Sequence, residues 1–296
     1  MTHFLYVPFT GLGLYNGFRG NHWLRNRIKV FKNYVVPSLE AQTDKDFHLW
    51  VSWRPQEKNN EQVIELKKYL DQKFITTFTF GGVCFWDDKY PDDKARERLM
   101  MAIHNSVYHF GTIKGEVLMT IQPSDDCYRK TMVEEVKKTF EIYPDAQAVG
   151  YLKGYIVDYK SGQVAEYNPN TIPPFFTIKF PGDVFIDPLK HLNYTGPYKS
   201  HEYIAQHLKY YGTDVRGFLV GIHGENISTI FDHPFRGVRV NPSVLNDFGL
   251  ENLNPLNIKL HLGKRIMRKL PYSWQRKLRY IFGERFLSRI YNIGNK

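Results

Sequence analysis

The chain has 296 residues, of which 42% are hydrophobic and 24% charged, a composition typical of a folded globular protein and not of a disordered one. Two cysteines are too few for a disulfide framework, so we expect reduced thiols and a cytosolic protein. No run of about 18 apolar residues predicts a membrane-spanning helix. The opening residues, in which Pro8 and Gly11 interrupt a short apolar run, predict a first strand and not a signal peptide.

The net charge of +10 is concentrated near the end of the chain. The segment Lys259–Lys296 contains eleven Lys and Arg and one acid, Glu284, whereas residues 1–258 contain 29 basic and 29 acidic residues. A nucleic-acid-binding domain usually spreads its basic residues over the folded surface. The pattern therefore predicts a neutral domain over residues 1–255 and a basic helical extension over residues 256–296.

Strand and helix signals alternate through the first half of the chain. Short aromatic or β-branched runs predict strands at Phe4–Phe9, Phe47–Trp53, Phe74–Phe80 and Val117–Ile121. Helical spacing of apolar residues predicts helices at 23–39, 63–70, 96–110 and 132–142. Such alternation favours an α/β domain with a central, mainly parallel twisted sheet flanked by helices.

The pattern changes after residue 147. Ala148–Tyr159 and Gln163–Tyr167, on either side of Lys160-Ser-Gly162, predict a hairpin. Further strands are predicted at 175–180 and 218–223, and a helix at 201–211. No repeat and no Gly/Ser linker divides this part of the chain, so we expect strands added to the first sheet.

An acidic pair, Asp125-Asp126, follows the predicted strand Val117–Ile121 directly. Ligands of open α/β sheets bind beyond the carboxyl ends of the strands, and a bound cation is a natural reason for two adjacent acids there. Carboxylate oxygens suit Mg²⁺ or Mn²⁺, which can bridge a diphosphate. The alternative is that one of the two acids simply caps the helix that follows.

Other charged residues leave two interpretations open. Arg25 and Arg27 lie near the start of the first helix, where guanidinium groups could meet a diphosphate or face solvent. Arg96 and Arg98 open a later helix and have the same ambiguity. The second acidic pair, Asp87-Asp88, precedes a loop signal and is more typical of a solvated turn.

Three separated motifs, in order, resemble the bacterial family of putative rhamnosyltransferases over about residues 3–230. They are the opening set Trp23-Leu-Arg-x-Arg27, Phe31, Tyr34, Pro37-Ser-Leu39, Gln42-Thr43, Phe47 and Trp50, then Ser124-Asp-Asp126, then Gly221-Ile-His-Gly-x-Asn-Ile-Ser228. Two positions depart from the family pattern: Ile121 and Pro123 stand where an Arg and an acid are usual.

The resemblance implies a GT-A-type fold and a glycosyltransferase that uses a nucleotide-sugar donor. It implies a metal site, with Mn²⁺ or Mg²⁺ bound by Asp125, Asp126 and His223. The residues expected to bind the donor are Arg25, Arg27, Arg98 and Asp125. Without the resemblance, a histidine at a strand end such as His223 is more often a hydrogen-bonded structural residue.

Inverting sugar transfer needs one base to accept the proton of the attacking hydroxyl. The segment Ser200–Gly212 resembles the Glu-Asp dipeptide that opens a helix in many inverting transferases, and this similarity assigns the base to Glu202. A carboxylate at that position is also a plain helix cap. The alternative bases are Asp187, Asp214 and His201.

The basic extension interleaves cations with apolar residues at helical spacing, among them Trp274, Leu278 and Phe282. A basic amphipathic helix with Trp and Phe suits an anionic membrane surface, so we expect a cytoplasmic protein held at the inner face of the membrane. Two alternatives are docking of the apolar stripe on the body and, less favoured, nucleic-acid binding.

The sequence thus predicts a metal-dependent glycosyltransferase that moves rhamnose or another hexose to a glycan or lipid-linked glycan. Signatures of kinases, dehydrogenases, zinc ribbons and serine hydrolases are absent. The rival hypothesis is a non-catalytic binding protein that uses its basic extension on membrane or nucleic acid.

Overall fold

The computed structural model describes residues 1–10, 12–13, 21–81, 83–84, 100–101, 103–196, 201, 204–226, 229–251, 253–256, 258 and 274. Its strands are β1 Thr2–Val7, β2 Leu12–Gly13, β3 His48–Ser52, β4 Thr76–Thr79, β5 Val83–Cys84, β6 Glu116–Ile121, β7 Cys127–Tyr128, β8 Ala148–Asp158, β9 Val164–Tyr167, β10 Phe176–Pro181, β11 Tyr210–Ile222 and β12 Arg236–Val240. Its α-helices are α1 Asn21–Val30, α2 Val36–Glu40, α3 Glu61–Asp71, α4 Met132–Ile142, α5 Gly182–Ile186, α6 Pro188–Thr195 and α7 Ile204–His207.

Within the described residues, ten strands form one mixed sheet in the order β12-β9-β8-β10-β6-β1-β3-β4, with β11 beside β8 and β7 beside β11. The first half of the chain gives the parallel part, in which β1 lies between β3 and β6. The α/β fold is therefore confirmed. The sheet is parallel through the first half of the chain, whereas the second half combines antiparallel pairs with one long parallel pair, β8 with β11.

The strand directions determine which loops meet. β10 runs antiparallel to both β6 and β8, so β6 and β8 point the same way. β11 is parallel to β8 from Tyr210 to Ile222. The carboxyl ends of β1, β3, β6, β8 and β11 consequently lie at one edge of the sheet, where ligands of α/β proteins bind.

Period-2 alternation divides the core between the two faces of the sheet. Leu5, Leu49 and Leu118 point to the face covered by α1, α3 and α4, whereas Phe4 and Trp50 point to the opposite face. That second face is covered by the helical residues 103–107 together with α5 and α6.

The first long helix was predicted at 23–39 and runs without a break from Asn21 to Glu40. A π-helical turn, Phe31–Val35, joins α1 to α2 just before Pro37. Proline has no N–H to donate to the preceding turn, and wide turns of this kind are one way for a helix to accommodate a local mismatch. The buried face of α1 includes Asn26 and Arg27, which places two polar side chains among core residues.

The predicted hairpin is confirmed as β8 and β9, which pair antiparallel. Its turn is closed by a hydrogen bond from Gly162 N to Asp158 O of 2.7 Å, and Gly162 has the positive φ of 72° that such a turn requires. Ser161 Oγ also donates to Asp158 Oδ2 at 2.8 Å.

The helix predicted at 201–211 is wrong in extent. Only Ile204–His207 is described as helix, and Tyr210 already begins β11 by pairing with Ala148. Pairing along the full length of β8 outweighs the local helical spacing of these residues. The short helices α5 and α6 and the edge strand β12 were not predicted.

The body packs at least as far as residue 258. Leu256 N donates to Tyr159 O at 3.0 Å, and Leu256 and Ile258 contact the main core cluster. Of the extension 256–296 the structure describes only Leu256, Ile258 and Trp274, whose side chain is 59% exposed. The division into two regions stays a prediction. Among the described helices, none is long and apolar enough to cross a bilayer.

Candidate active site

The loop after β6 contains the acidic pair Asp125-Asp126, and hydrogen bonds within the loop and to β1 hold its conformation. Gln122 N donates to Tyr6 O at 2.8 Å, which extends the pairing of β6 with β1 by one residue. The Gln122 side-chain amide then donates to Pro123 O at 2.8 Å and to Asp126 O at 2.9 Å. Tyr128 OH donates to Ile121 O at 2.8 Å, so the loop is held at both ends.

The loop lies directly against β11 at Gly221. Gly221 N donates to Asp126 Oδ1 at 2.9 Å, and Tyr159 OH donates to Asp125 O at 3.1 Å. A Cβ atom at position 221 would lie 2.3 Å from the Tyr159 ring and 2.4 Å from Asp125 O. Glycine is therefore required here by the close approach of two backbones.

Three side chains contact one carboxylate oxygen of Asp125. Its Oδ2 forms an ion pair with Arg27 Nη1, lies 3.1 Å from His223 Nε2, and accepts from Asn226 Nδ2 at 3.4 Å. The exposed fractions are 8% for the Arg27 side chain, 17% for Asp125 and 1% for His223. The loop after β6, the turn after β11 and the helix α1 thus converge on a partly open carboxylate.

The turn after β11 orients the histidine. His223 N donates to Asn226 Oδ1 at 2.9 Å, Asn226 Nδ2 donates to Gly221 O at 2.7 Å, and Gly224 has a positive φ of 91°. Glu225 N donates to His223 Nδ1 at 3.3 Å. Because Nδ1 accepts, the ring proton of a neutral His223 lies on Nε2 and is donated to Asp125.

Two functional candidates were missed by sequence reasoning. Asn26 Nδ2 donates to Glu225 Oε1 at 3.0 Å, and both side chains are buried. Asn26 occupies the apolar face of an amphipathic helix, which is a sequence signal for a buried polar contact. Nothing in the local sequence of Glu225 indicates its partner 199 positions away.

The pKa values of the two acids are shifted in opposite directions. Burial would raise the pKa of Asp125, but the Arg27 guanidinium and then His223 hold this pKa well below its usual range. Burial and the charge of Asp125 raise the pKa of Asp126 well above its usual range. Asp125 therefore loses its proton at lower pH than Asp126, and its charge in turn raises the pKa of Arg27 against the effect of burial.

The donor set was expected to hold Mn²⁺ or Mg²⁺ through Asp125, Asp126 and His223, and carboxylates with imidazole are suitable ligands for Mn²⁺. In the part of the chain that is described, however, no three His, Cys, Asp or Glu side chains are placed to hold one ion. Asp125 Oδ2 forms an ion pair with Arg27, and Asp126 Oδ1 accepts a hydrogen bond from Gly221 N. These residues do not fit a three-ligand site in this arrangement, and metal dependence stays a prediction.

The remaining predicted residues lie elsewhere or outside the described residues. Arg25 is on the exposed side of α1, away from Arg27. Glu202, Arg98, Arg96 and the pair Asp87-Asp88 fall outside the described residues.

The three alternative bases have structural partners. Asp187 Oδ1 caps α6 by accepting from Leu189 N at 3.0 Å and Lys190 N at 2.9 Å. Asp214 pairs with Lys153 at 2.9 Å on the surface, and His201 Nδ1 contacts a backbone carbonyl. None of them is among the residues that contact Asp125.

Comparison with known proteins gives one family match. Residues 18–78 match the model of the family described as "Putative rhamnosyl transferase". In this segment the chain is rhamnosyltransferase-like. The match agrees with the resemblance found in the sequence, over residues 18–78. The matched segment includes α1 and Arg27 and ends before the loop of Asp125 and the turn of His223.

Solved structures give distant matches. The crystal structure of S. aureus TarS 1-349 is 13% identical, with a TM-score of 0.42, and the match covers 75% of this chain and 60% of that one. The "putative nucleotide-diphospho-sugar transferase" from Desulfovibrio desulfuricans G20 is 11% identical, with a TM-score of 0.34, and the match covers 74% of this chain and 80% of that one. The chain thus spans less than two thirds of the TarS 1-349 structure. Among curated proteins, none matches it at a significant level.

Proposed function

We propose that this protein transfers a hexosyl group, rhamnose or another hexose, from a nucleotide-sugar donor to a glycan or lipid-linked glycan. The observation that supports this most is the Asp125 cluster at the carboxyl edge of the sheet. Its arginine is provided by α1, which lies in the segment that matches the rhamnosyltransferase family. The cluster is buried enough to strengthen charge interactions and open enough, at Asp125, for a ligand to reach it.

We propose that the diphosphate of the donor binds at the carboxyl edge of the sheet. Ligands of α/β sheets bind beyond the carboxyl ends of the strands, and the guanidinium of Arg27 offers planar, charge-assisted hydrogen bonds to phosphate oxygens. His223 and Asn226 fix the Asp125 carboxylate, which in turn fixes the guanidinium. The donor would therefore meet a preorganised cation that needs no rearrangement on binding.

Transfer is proposed to invert the anomeric carbon. The acceptor hydroxyl attacks that carbon while its proton passes to a carboxylate base, for which Glu202 is our candidate. The bond from the anomeric carbon to the diphosphate breaks at the same time, and its electron pair leaves with the nucleoside diphosphate. A guanidinium close to the diphosphate stabilises the charge that develops on the leaving group.

Metal dependence stays a prediction from the sequence resemblance. Mn²⁺ or Mg²⁺ at Asp125, Asp126 and His223 would supply Lewis-acid stabilisation of the leaving diphosphate, but the described arrangement does not fit such a site, and no step above depends on a metal. The basic extension is proposed to hold the enzyme at an anionic membrane surface, a proposal that rests on its composition.

The test is a thermal-shift screen of nucleoside diphosphates and nucleotide-sugars, with Mn²⁺ and with EDTA. A ligand that binds only the native state raises the melting temperature. We expect at least one nucleotide to stabilise the wild type and to lose this effect in Asp125→Asn. The control is Asp145→Asn, which changes an exposed aspartate paired with Lys209 on the surface. If no nucleotide stabilises the wild type under either condition, the proposed function is wrong.

A further inference from the structure

Every carboxylate of the candidate site is already bonded to a donor of the protein. The pairs are Arg27 Nη1 with Asp125 Oδ2, Gly221 N with Asp126 Oδ1 at 2.9 Å, and Asn26 Nδ2 with Glu225 Oε1 at 3.0 Å. A carboxylate set arranged for a divalent ion instead directs several oxygens at one point. The position expected for an ion is next to Asp125, and a guanidinium lies there.

Arg27 has hydrogen-bonding capacity that the protein does not use. Its side chain is 8% exposed, and its guanidinium lies 5.6 Å from the centroid of the Trp23 ring. A guanidinium has five N–H donors, of which the Nη1 group meets Asp125. The Nε atom is buried and has no hydrogen-bond partner among the described residues. A buried donor without a partner is unfavourable, so a ligand that accepts from it gains affinity.

We propose that Arg27 is the resident cation of this site and that the site binds a nucleoside diphosphate through this guanidinium without a divalent metal ion. This inference rests on the proposed function, since it concerns the diphosphate of the same donor. It differs from the metal-dependent mechanism predicted from the sequence.

The cost of displacing Arg27 from Asp125 favours phosphate binding by the guanidinium over binding through a metal ion. An ion that binds Asp125 Oδ2 must displace Arg27 and leave a buried guanidinium without its counter-ion, which is strongly unfavourable. An ion that binds the other oxygen, Oδ1, would lie close to the guanidinium and be repelled by it. A phosphate oxygen can instead accept from the remaining N–H groups while the contact between Arg27 and Asp125 persists. His223 and Asn226 contact the same carboxylate oxygen as Arg27, so the protein itself holds the carboxylate that orients the guanidinium.

The experiment is calorimetric titration of the full-length protein with UDP, GDP and dTDP, first in EDTA and then in excess Mn²⁺. We expect at least one nucleotide to bind in EDTA with an affinity within about threefold of that in Mn²⁺. We expect Arg27→Met to lower that affinity in EDTA by about tenfold or more, because charge-assisted hydrogen bonds are lost. Lys29→Met removes an exposed cation from the same helix and should leave the affinity unchanged.

Two further variants keep the test valid if Arg27→Met does not fold. Arg27→Met combined with Asp125→Asn removes both charges and leaves no buried ion unpaired; it should fold and still fail to bind in EDTA. Arg27→Lys keeps the charge but loses the planar fork, and we expect binding intermediate between that of wild type and that of the double variant. Circular dichroism of each variant reports whether it is folded.

The outcomes separate the two proposals. Nucleotide binding by the wild type that requires Mn²⁺ overturns the inference and leaves the proposed function standing. Equal affinity of the wild type and the folded double variant in EDTA also overturns it. An absence of nucleotide binding both in EDTA and in Mn²⁺ overturns the proposed function together with the inference.

Discussion

His223 and Asp125 are 98 positions apart in the chain, and the distance between His223 Nε2 and Asp125 Oδ2 is 3.1 Å. This contact joins the loop after β6 to the turn after β11 at the edge where both strands end. The backbone N–H of Glu225 determines which histidine nitrogen faces the carboxylate. The geometry of the site is thus established by hydrogen bonds within the protein before any ligand is present.

Asp125→Asn should destabilise the fold. The substitution leaves Arg27, whose side chain is 8% exposed, without its counter-ion. Removal of one partner of a buried ion pair costs about 3–5 kcal/mol. Urea unfolding should show this loss, and the double variant with Arg27→Met should recover most of it. A loss equal to that of the exposed Asp145→Asn control would mean that the ion pair contributes nothing.

Gly221→Ala should disturb the site through sterics alone. The added Cβ would lie 2.3 Å from the Tyr159 ring and 2.4 Å from Asp125 O, so the loop after β6 must move. We expect a loss of about 1–3 kcal/mol, typical of overpacking, together with weaker nucleotide binding. Gly111→Ala is the control: its Cβ meets no atom within 4 Å, so only the positive φ of 61° opposes it. Calorimetry should then give unchanged nucleotide affinity for Gly111→Ala and reduced affinity for Gly221→Ala.

The sequence predicted those parts of the site that lie at strand ends. Asp125 follows β6 and His223 follows β11, so parallel strand directions alone bring them to one edge. The contact of Arg27 with Asp125 was not foreseen, because a helix position can be assigned to a face but not to a partner 98 residues away. The role of Glu225 was missed for the same reason, since its partner Asn26 lies on α1.

Acid should destabilise the protein through two buried histidines. Burial lowers the pKa of His3 to about 3 and that of His191 to about 4, from an ordinary value of 6.5. Between these values the unfolded state binds more protons than the native state, so stability is lost as the pH falls below 6.5 and is unaffected by these groups above it. Each histidine should cost about 2 kcal/mol between pH 6.5 and pH 5.

The check is urea unfolding at pH 7.5 and at pH 5, with His3→Gln for comparison. Glutamine can retain the hydrogen bond to Thr120 Oγ1, which is 2.7 Å long, but does not titrate. The variant should therefore show a smaller difference between the two pH values. An identical difference in wild type and variant would contradict a buried, neutral His3.

Glu202→Gln should separate catalysis from binding. Glutamine keeps the shape of the side chain but cannot accept the acceptor's proton, so turnover should fall by about 10²-fold or more while donor binding is nearly unchanged. The measurement is sugar transfer with the donor that the thermal-shift screen identifies. Asp187→Asn is the comparison, because Asp187 caps α6 and its loss should affect stability more than turnover. Transfer at the wild-type rate in Glu202→Gln would place the base elsewhere.

Truncation after Ile258 should remove the net positive charge of the chain and leave a folded domain. The body packs through Leu256 and Ile258, so a 1–258 chain should stay folded and still bind nucleotide. It should lose salt-sensitive binding to vesicles of anionic lipid, because exposed charges are screened over about 8–10 Å at ordinary ionic strength. Vesicle co-sedimentation measures this directly. Aggregation of the shortened chain would instead indicate that the extension packs on the body.

The strand pairing of the second half was harder to predict than its elements. The run at 175–180 was expected as a strand and is found as β10, Phe176–Pro181. Its position between β6 and β8, antiparallel to both, depends on contacts distant in sequence. The same holds for β11, whose first residues have helical spacing but pair with Ala148 and Val149 of β8. Local pattern determines element type, and long-range pairing determines register.

The placement of β11 has a consequence for synthesis of the protein. The turn of His223 follows a strand of 13 residues that pairs with β8 along most of its length. A nascent chain that has not yet released β11 from the ribosome has no histidine to place beside Asp125. Because pairings distant in sequence form late in folding, the site is completed only after β11 has paired with β8. A ribosome stalled before residue 223 would therefore carry a chain that lacks His223 and has an incomplete site.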